Sequence, residues 1–157
     1  MSLTELCLSL ILIQLVSPSM SRGWRSIEPL HSTRTDAERL LGSPVQSCDE
    51  TCSYNTAKEN LTIVYSTHPC GTGDHNRWRV PVGTVVSVIV FPHVKPTLKD
   101  LKLNLKKLSK TKDPELSGYW IYTNELDGIS YEVSKTSQVL SMEWFPGRKD
   151  NSLNCIE

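Results

Sequence analysis

The residues of this 157-residue chain with the most chemical potential are its cysteines, Cys7, Cys48, Cys52, Cys70 and Cys155, and its histidines, His31, His68, His75 and His93. A thiol beside an imidazole can become a nucleophilic thiolate, and clustered Cys and His can hold zinc. Cys70 and His75 are close enough in sequence to be considered as a dyad, but no third group follows at a spacing that would orient the ring. The histidines form no H-x-x-x-H or H-x-H pair. Cys48 and Cys52 stand at Cys-x3-Cys spacing with no second ligand pair, so no metal or cofactor is expected. Ser66, Ser130 and Ser141 lack the Gly-x-Ser-x-Gly setting of an activated serine. Gly71-Thr-Gly73 is a lone Gly-x-Gly with no helical pattern behind it, and reads as a mobile loop rather than a phosphate cradle.

A structural use suits Cys48, Cys52, Cys70 and Cys155 better, and more than one pairing is open. A Cys70–Cys155 bond would tie down a chain end and close a long loop, worth about 4 kcal/mol in the chain-entropy picture. Cys48 and Cys52 would then remain. In a flat strand their Cα atoms would lie about 13 Å apart, beyond the ~7 Å that a disulfide spans, so that bond needs a turn or bulge at Asp49-Glu-Thr51. Free thiols at these positions are the alternative.

Disulfides require an oxidising compartment, and the N-terminus supplies a route to one. Residues 6–16, Leu-Cys-Leu-Ser-Leu-Ile-Leu-Ile-Gln-Leu-Val, are too short a run for a membrane span of about 20 residues but fit the apolar core of a signal peptide. Ser17, Ser19 and Ser21 follow, so cleavage after Ser19 or Ser21 leaves a mature chain starting near Arg22. Glu5 and the absence of Lys or Arg before the run depart from the usual positive n-region. The expectation is a signal peptide over 1–21, which removes Cys7, and a single exported domain over 22–157, periplasmic or secreted, with no transmembrane span.

Seventeen basic residues balance 17 acidic ones, which argues against nucleic acid as a partner. One local excess stands out. Residues 95–112 carry seven lysines against Asp100 alone, and this reads as a solvated edge whose lysines discourage aggregation, or else as a basic stripe for an anionic surface.

The elements that must position these residues follow from hydrophobic period. Thr33-Arg-Thr-Asp36 offers a hydroxyl N-cap with an acid three residues on, Ala37, Leu40 and Leu41 make an apolar face, and Gly42 with Pro44 ends the segment, predicting a helix over 34–41. Trp24, Ile27 and Leu30 are apolar anchors in an extended lead-in. Residues 61–66 and 84–91 are β-branched strands, the second apolar on both faces. Residues 118–123 and 129–133 flank a turn ending in Asp127-Gly128, and 138–145 close the set. Between them, 97–101 reads as a short helix and 103–109 as a strand. The predicted class is α+β: a short helix or helices packed on an antiparallel β-meander of roughly four to five strands.

Two features suit binding. The segment 67–83 is long for a hairpin connection and carries Asp74, His75, Arg77, Trp78 and Arg79. Alternation places Trp120 and Tyr122 on one face of a strand, where rings left uncovered would meet a partner. Asn60-Leu-Thr62 matches a glycosylation acceptor, though inside a strand.

The pattern Thr33-Arg-x-Asp-x-x-x-Leu-Leu-Gly-x-Pro44 resembles the helix of the SmpA/OmlA (BamE-like) envelope proteins, which place short helices before a small antiparallel meander. No cysteine follows the apolar run as a lipid-attachment site, so outer-membrane anchoring is not implied. More of the chain, from Trp24-Arg-Ser-Ile-Glu-Pro-Leu-His through Val64-Tyr-Ser, Tyr122-Thr-Asn-Glu and Ile129-Ser-Tyr-Glu-Val to Leu153-Asn-Cys155, resembles a group of uncharacterised exported bacterial proteins. That resemblance implies a fold and a compartment without an activity. The expected function is a non-catalytic extracytoplasmic binding or scaffold module contacting a protein or envelope component. The alternatives are a proteinaceous enzyme inhibitor with a similar layout, and a small thiol or hydrolytic enzyme using Cys70 and His75.

Overall fold

The computed structural model describes residues 22–155; the expected signal segment 1–21 lies outside the described residues. The chain runs α1 (Arg34–Leu41), β1 (Thr51–Asn55), β2 (Glu59–Tyr65), β3 (Val85–Pro92), β4 (Ser109–Lys112), β5 (Trp120–Asn124), β6 (Ile129–Val133) and β7 (Val139–Trp144), with 3-10 turns at Leu105–Lys107 and Arg148–Leu153. All strands join one antiparallel sheet in the order β1-β2-β3-β7-β6-β5-β4.

The helix forms where the cap chemistry places it. Asp36 accepts from the Thr33 amide at 2.9 Å while the Asp36 amide donates back to the Thr33 hydroxyl at 3.3 Å, and Gly42, with φ 81°, lets its amide reach the Glu38 carbonyl at 2.8 Å. Ala37 is the buried residue of α1, whereas Leu40 is 51% exposed, so the apolar face is narrower than expected. Arg34 fastens the helix to the segment that leads into β1. Its guanidinium lies 4.4 Å from the Tyr65 ring centroid and donates to the Cys48 carbonyl at 3.0 Å.

The α+β class holds, but the sheet has seven strands instead of four to five. Two of the extra elements were hidden by composition. In β1, Thr-Cys-Ser-Tyr-Asn, only Cys52 and Tyr54 face inward, so the apolar signal is too short to stand out. In β4, Ser-Lys-Thr-Lys, every residue is exposed. The strand expected at 103–109 therefore begins only at Ser109, after the 3-10 turn. The helix expected at 97–101 is a single turn, Leu101 N–H to the Thr97 carbonyl at 3.3 Å, which the Lys-rich sequence downstream does not extend.

The sheet is two meanders, β1–β3 and β4–β7, joined through β3 and β7. After β3 the chain crosses to the far edge and winds back, so Leu98, Leu101, Leu103 and Leu108 of the crossing pack against Ile129, Tyr131, Val133 and Val139. On the same face, Trp24, Ile27 and Ala37 cover Cys52, Tyr54, Leu61, Ile63, Tyr65, Val88 and Val90. The opposite face presents a mostly polar row, Ser53, Thr62, Ile89, Glu143, Ser130, Thr123 and Ser109, in register across all seven strands. A β-bulge breaks this regularity. Val64 pairs with Ser87 but Tyr65 pairs with Val85, so Val86 is the extra residue and turns to the open face. There it packs with Leu30, Trp78 and Val80.

Candidate functional site

The bulge at Val86 is the platform for the 67–83 loop, which folds back onto the open face. Trp78 anchors it, 2% exposed, with its indole N–H donating to the Asp74 carbonyl at 3.2 Å. Asn76 organises the turn at the loop tip. Its side-chain oxygen accepts from the amides of Thr67 at 3.0 Å and His68 at 2.9 Å, and the Gly71 amide reaches the Asn76 carbonyl at 2.8 Å. The expected mobile loop around Gly71-Thr-Gly73 is thus tied by hydrogen bonds on both sides.

The C-terminal segment completes the tie. Cys70 is bonded to Cys155, the Cys155 amide donates to the Arg77 carbonyl at 2.8 Å, and the Arg79 amide donates to the Leu153 carbonyl at 2.7 Å. The second disulfide joins Cys48 and Cys52 with their Cα atoms 5.3 Å apart, because the chain bends at 49–50 before entering β1. With Cys70 bonded, no thiolate stands beside His75, and the dyad reading loses its nucleophile. Among the described residues no group of His, Cys, Asp and Glu is arranged to hold a metal ion.

Between the loop and the sheet lies a cleft of about 250 Å³. Asp74, His75 and Arg77 line it from the loop, Ser87 and Glu143 from the sheet, and Phe145 and Pro146 from the segment after β7. Ser87, buried, donates to the Glu143 carboxylate at 2.7 Å, which fixes the acid at the cleft floor. Arg77 lies 3.7 Å from Asp74 and 5.0 Å from the Trp78 ring centroid, and its Nε is enclosed without a hydrogen-bond partner among the described residues. The far wall is set by Gly128. Its φ of 68° and close approach to Phe145, where a Cβ would meet the carbonyl oxygen at 1.9 Å, admit no side chain, and the Phe145 amide donates to the Gly128 carbonyl at 2.9 Å.

The cleft therefore offers an anchored carboxylate, an imidazole and a partly exposed guanidinium, beside an aromatic ring. That set suits recognition of a polar ligand or peptide segment. Of the loop residues singled out in the sequence, Asp74, His75, Arg77 and Trp78 come together here, with Trp78 as support from below, while exposed Arg79 is not part of the lining. Trp120 and Tyr122 do not join them. Tyr122 is opposite Tyr131 and Trp120 opposite Val133, on the covered face, so the two candidate regions are separate surfaces.

Sequence reasoning missed Ser87, Glu143, Phe145 and Pro146. The alternation Ser141-Met-Glu-Trp144 did signal that Glu143 faces away from Met142 and Trp144. What could not be read was that β7 pairs with β3, which sets Glu143 beside Ser87. No family model, curated protein or solved structure matches the chain.

Proposed function

We propose that the chain is a non-catalytic extracytoplasmic binding module that receives a segment of a protein or envelope component in the cleft between the 67–83 loop and the open sheet face. The carrying observation is the way Arg77 and Glu143 are presented. Opposite charges stand in one cleft, the acid held by Ser87 and the base on a loop stapled by Cys70–Cys155. Such fixed groups lose little freedom on binding, which favours recognition. The two disulfides and the resemblance to exported bacterial proteins support an oxidising compartment.

The inhibitor reading finds less support. It wants an exposed anchoring side chain at the loop tip, and Trp78 is committed to the interior. The test is an NMR titration of the labelled protein with a random hexapeptide pool and, separately, with envelope polysaccharide. Shifts clustered at Arg77, Ser87 and Glu143, and lost in Arg77→Gln, are expected. Shifts spread over the surface, or unchanged in that variant, would overturn the proposal.

A further inference from the structure

The two edges of the sheet are treated differently. At β1 the outward-facing carbonyl of Ser53 accepts from the Val45 amide at 2.8 Å, and the segment before the strand is held against it by Cys48–Cys52 and by Arg34. At β4 the edge is bare. The Asp113 amide donates to the Tyr119 carbonyl at 3.1 Å, which continues the β4–β5 ladder and fixes its phase. By the alternation of an antiparallel pair, Ser109 and Thr111 then bond to β5, while the amides and carbonyls of Lys110 and Lys112 point outward. Among the described residues no backbone hydrogen bond reaches those outward groups.

Lysines on an edge strand ordinarily block pairing by projecting charge where a neighbouring strand would lie. Lys110 does not project. Its ammonium is folded back over β5, 3.9 Å from the Trp120 ring centroid and 5.4 Å from that of Tyr122, so the edge backbone stays open while the charge sits on the covered face beside it. Lys106 and Lys107 stand in the turn just before β4, within a stretch of seven lysines against Asp100. A second copy paired edge to edge would set lysine against lysine, which is unfavourable. Glutamates on an incoming strand would meet the opposite sign.

We propose that β4 accepts an extended acidic segment of another protein as a further strand, its backbone pairing with Lys110 and Lys112, the Lys110 ammonium leaving the Trp120 ring to meet one incoming carboxylate and Lys112 meeting the next. This goes beyond the cleft, which lies on the other face, and the two sites can fail independently. A bare edge supplies backbone affinity, and the lysines select for acidic side chains.

The probe is the capped peptide Thr-Glu-Val-Glu-Val-Glu-Thr, titrated at low salt into the labelled mature protein. Expected are shifts centred on the Lys110 and Lys112 amides and the Trp120 indole, slowed amide exchange at Lys110 and Lys112, and at least about tenfold weaker binding in the exposed double variant Lys110→Glu/Lys112→Glu. A peptide N-methylated on its pairing amides should bind at least about tenfold more weakly still than the unmodified one. Equal binding of the N-methylated peptide would mean charge attraction alone and would overturn strand pairing. So would unchanged exchange at Lys110 and Lys112. Binding to phosphatidylglycerol vesicles with shifts at Leu105, and none from the peptide, would assign the lysines to a lipid surface and also overturn the proposal. Shifts at Arg77 and Glu143 would report the cleft instead.

Discussion

Ser87 donates to Glu143 at 2.7 Å across the β3–β7 junction, where the two meanders of the sheet meet. The contact adds a side-chain link to the β3–β7 ladder on the open face and fixes the acid of the cleft. Ser87→Ala should cost roughly 1–2 kcal/mol, at the lower end for a hydrogen bond to a charged group because Glu143 can take water from the cleft. Glu143→Gln keeps an acceptor and should cost less. Urea denaturation of both variants checks the order.

The Cys70–Cys155 bond closes an 85-residue separation and holds the 67–83 loop against the C-terminal segment. Replacing both cysteines with serine should lower stability by roughly 2–4 kcal/mol. Amide exchange should quicken at Gly71, Asn76 and Arg79 before it does in β2 or β3. Hydrogen-exchange mass spectrometry separates this local loosening from global unfolding.

The hydroxyls of Tyr54 and Tyr65 form a buried pair at 2.9 Å, and burial, reinforced by that bond, pushes the Tyr65 phenol well above the usual tyrosine range. Tyr54→Phe strands a buried hydroxyl and should cost about 1–3 kcal/mol. The double variant Tyr54→Phe/Tyr65→Phe removes both polar ends and should cost less than the sum of the singles. A double-mutant cycle in denaturant measures the difference.

Asp127 contributes to the acid limb of stability. The hydrogen bond from the Lys149 ammonium, aided by the Asn124 amide at 2.8 Å, holds its carboxyl below the usual value. A carboxyl depressed in the folded state stabilises above its unfolded pKa, and that contribution is lost as pH falls through the folded pKa, so the loss falls below about pH 4. Asp127→Asn should flatten the fall in denaturation midpoint between neutral pH and about pH 2.5, with the wild type losing more.

Local chemistry made part of this protein legible from its residues. The capping box at Thr33 and Asp36 and the glycine at 42 place α1 at 34–41, and β-branched runs place β2 and β3, because each signal is complete within a few residues. Spacing likewise showed that a Cys48–Cys52 bond needs a bend, which the chain makes at 49–50. The limits of β4 were misplaced, at 103–109 instead of Ser109–Lys112, since they depend on neighbours: Ser-Lys-Thr-Lys is a strand only because β5 offers a partner.

The site was legible in the same measure. Asp74, His75, Arg77 and Trp78 were visible as a polar cluster on a long loop, yet nothing local says that Trp78 is the anchor and Arg77 the presented charge. That division follows from the bulge that turns Val86 outward to meet Trp78. Residue types and short-range spacing thus determined the class, the helix and the loop worth attention. How the two meanders meet and which acid completes the cleft were decided by the β3–β7 pairing, a contact between distant segments whose register only the packed sheet defines.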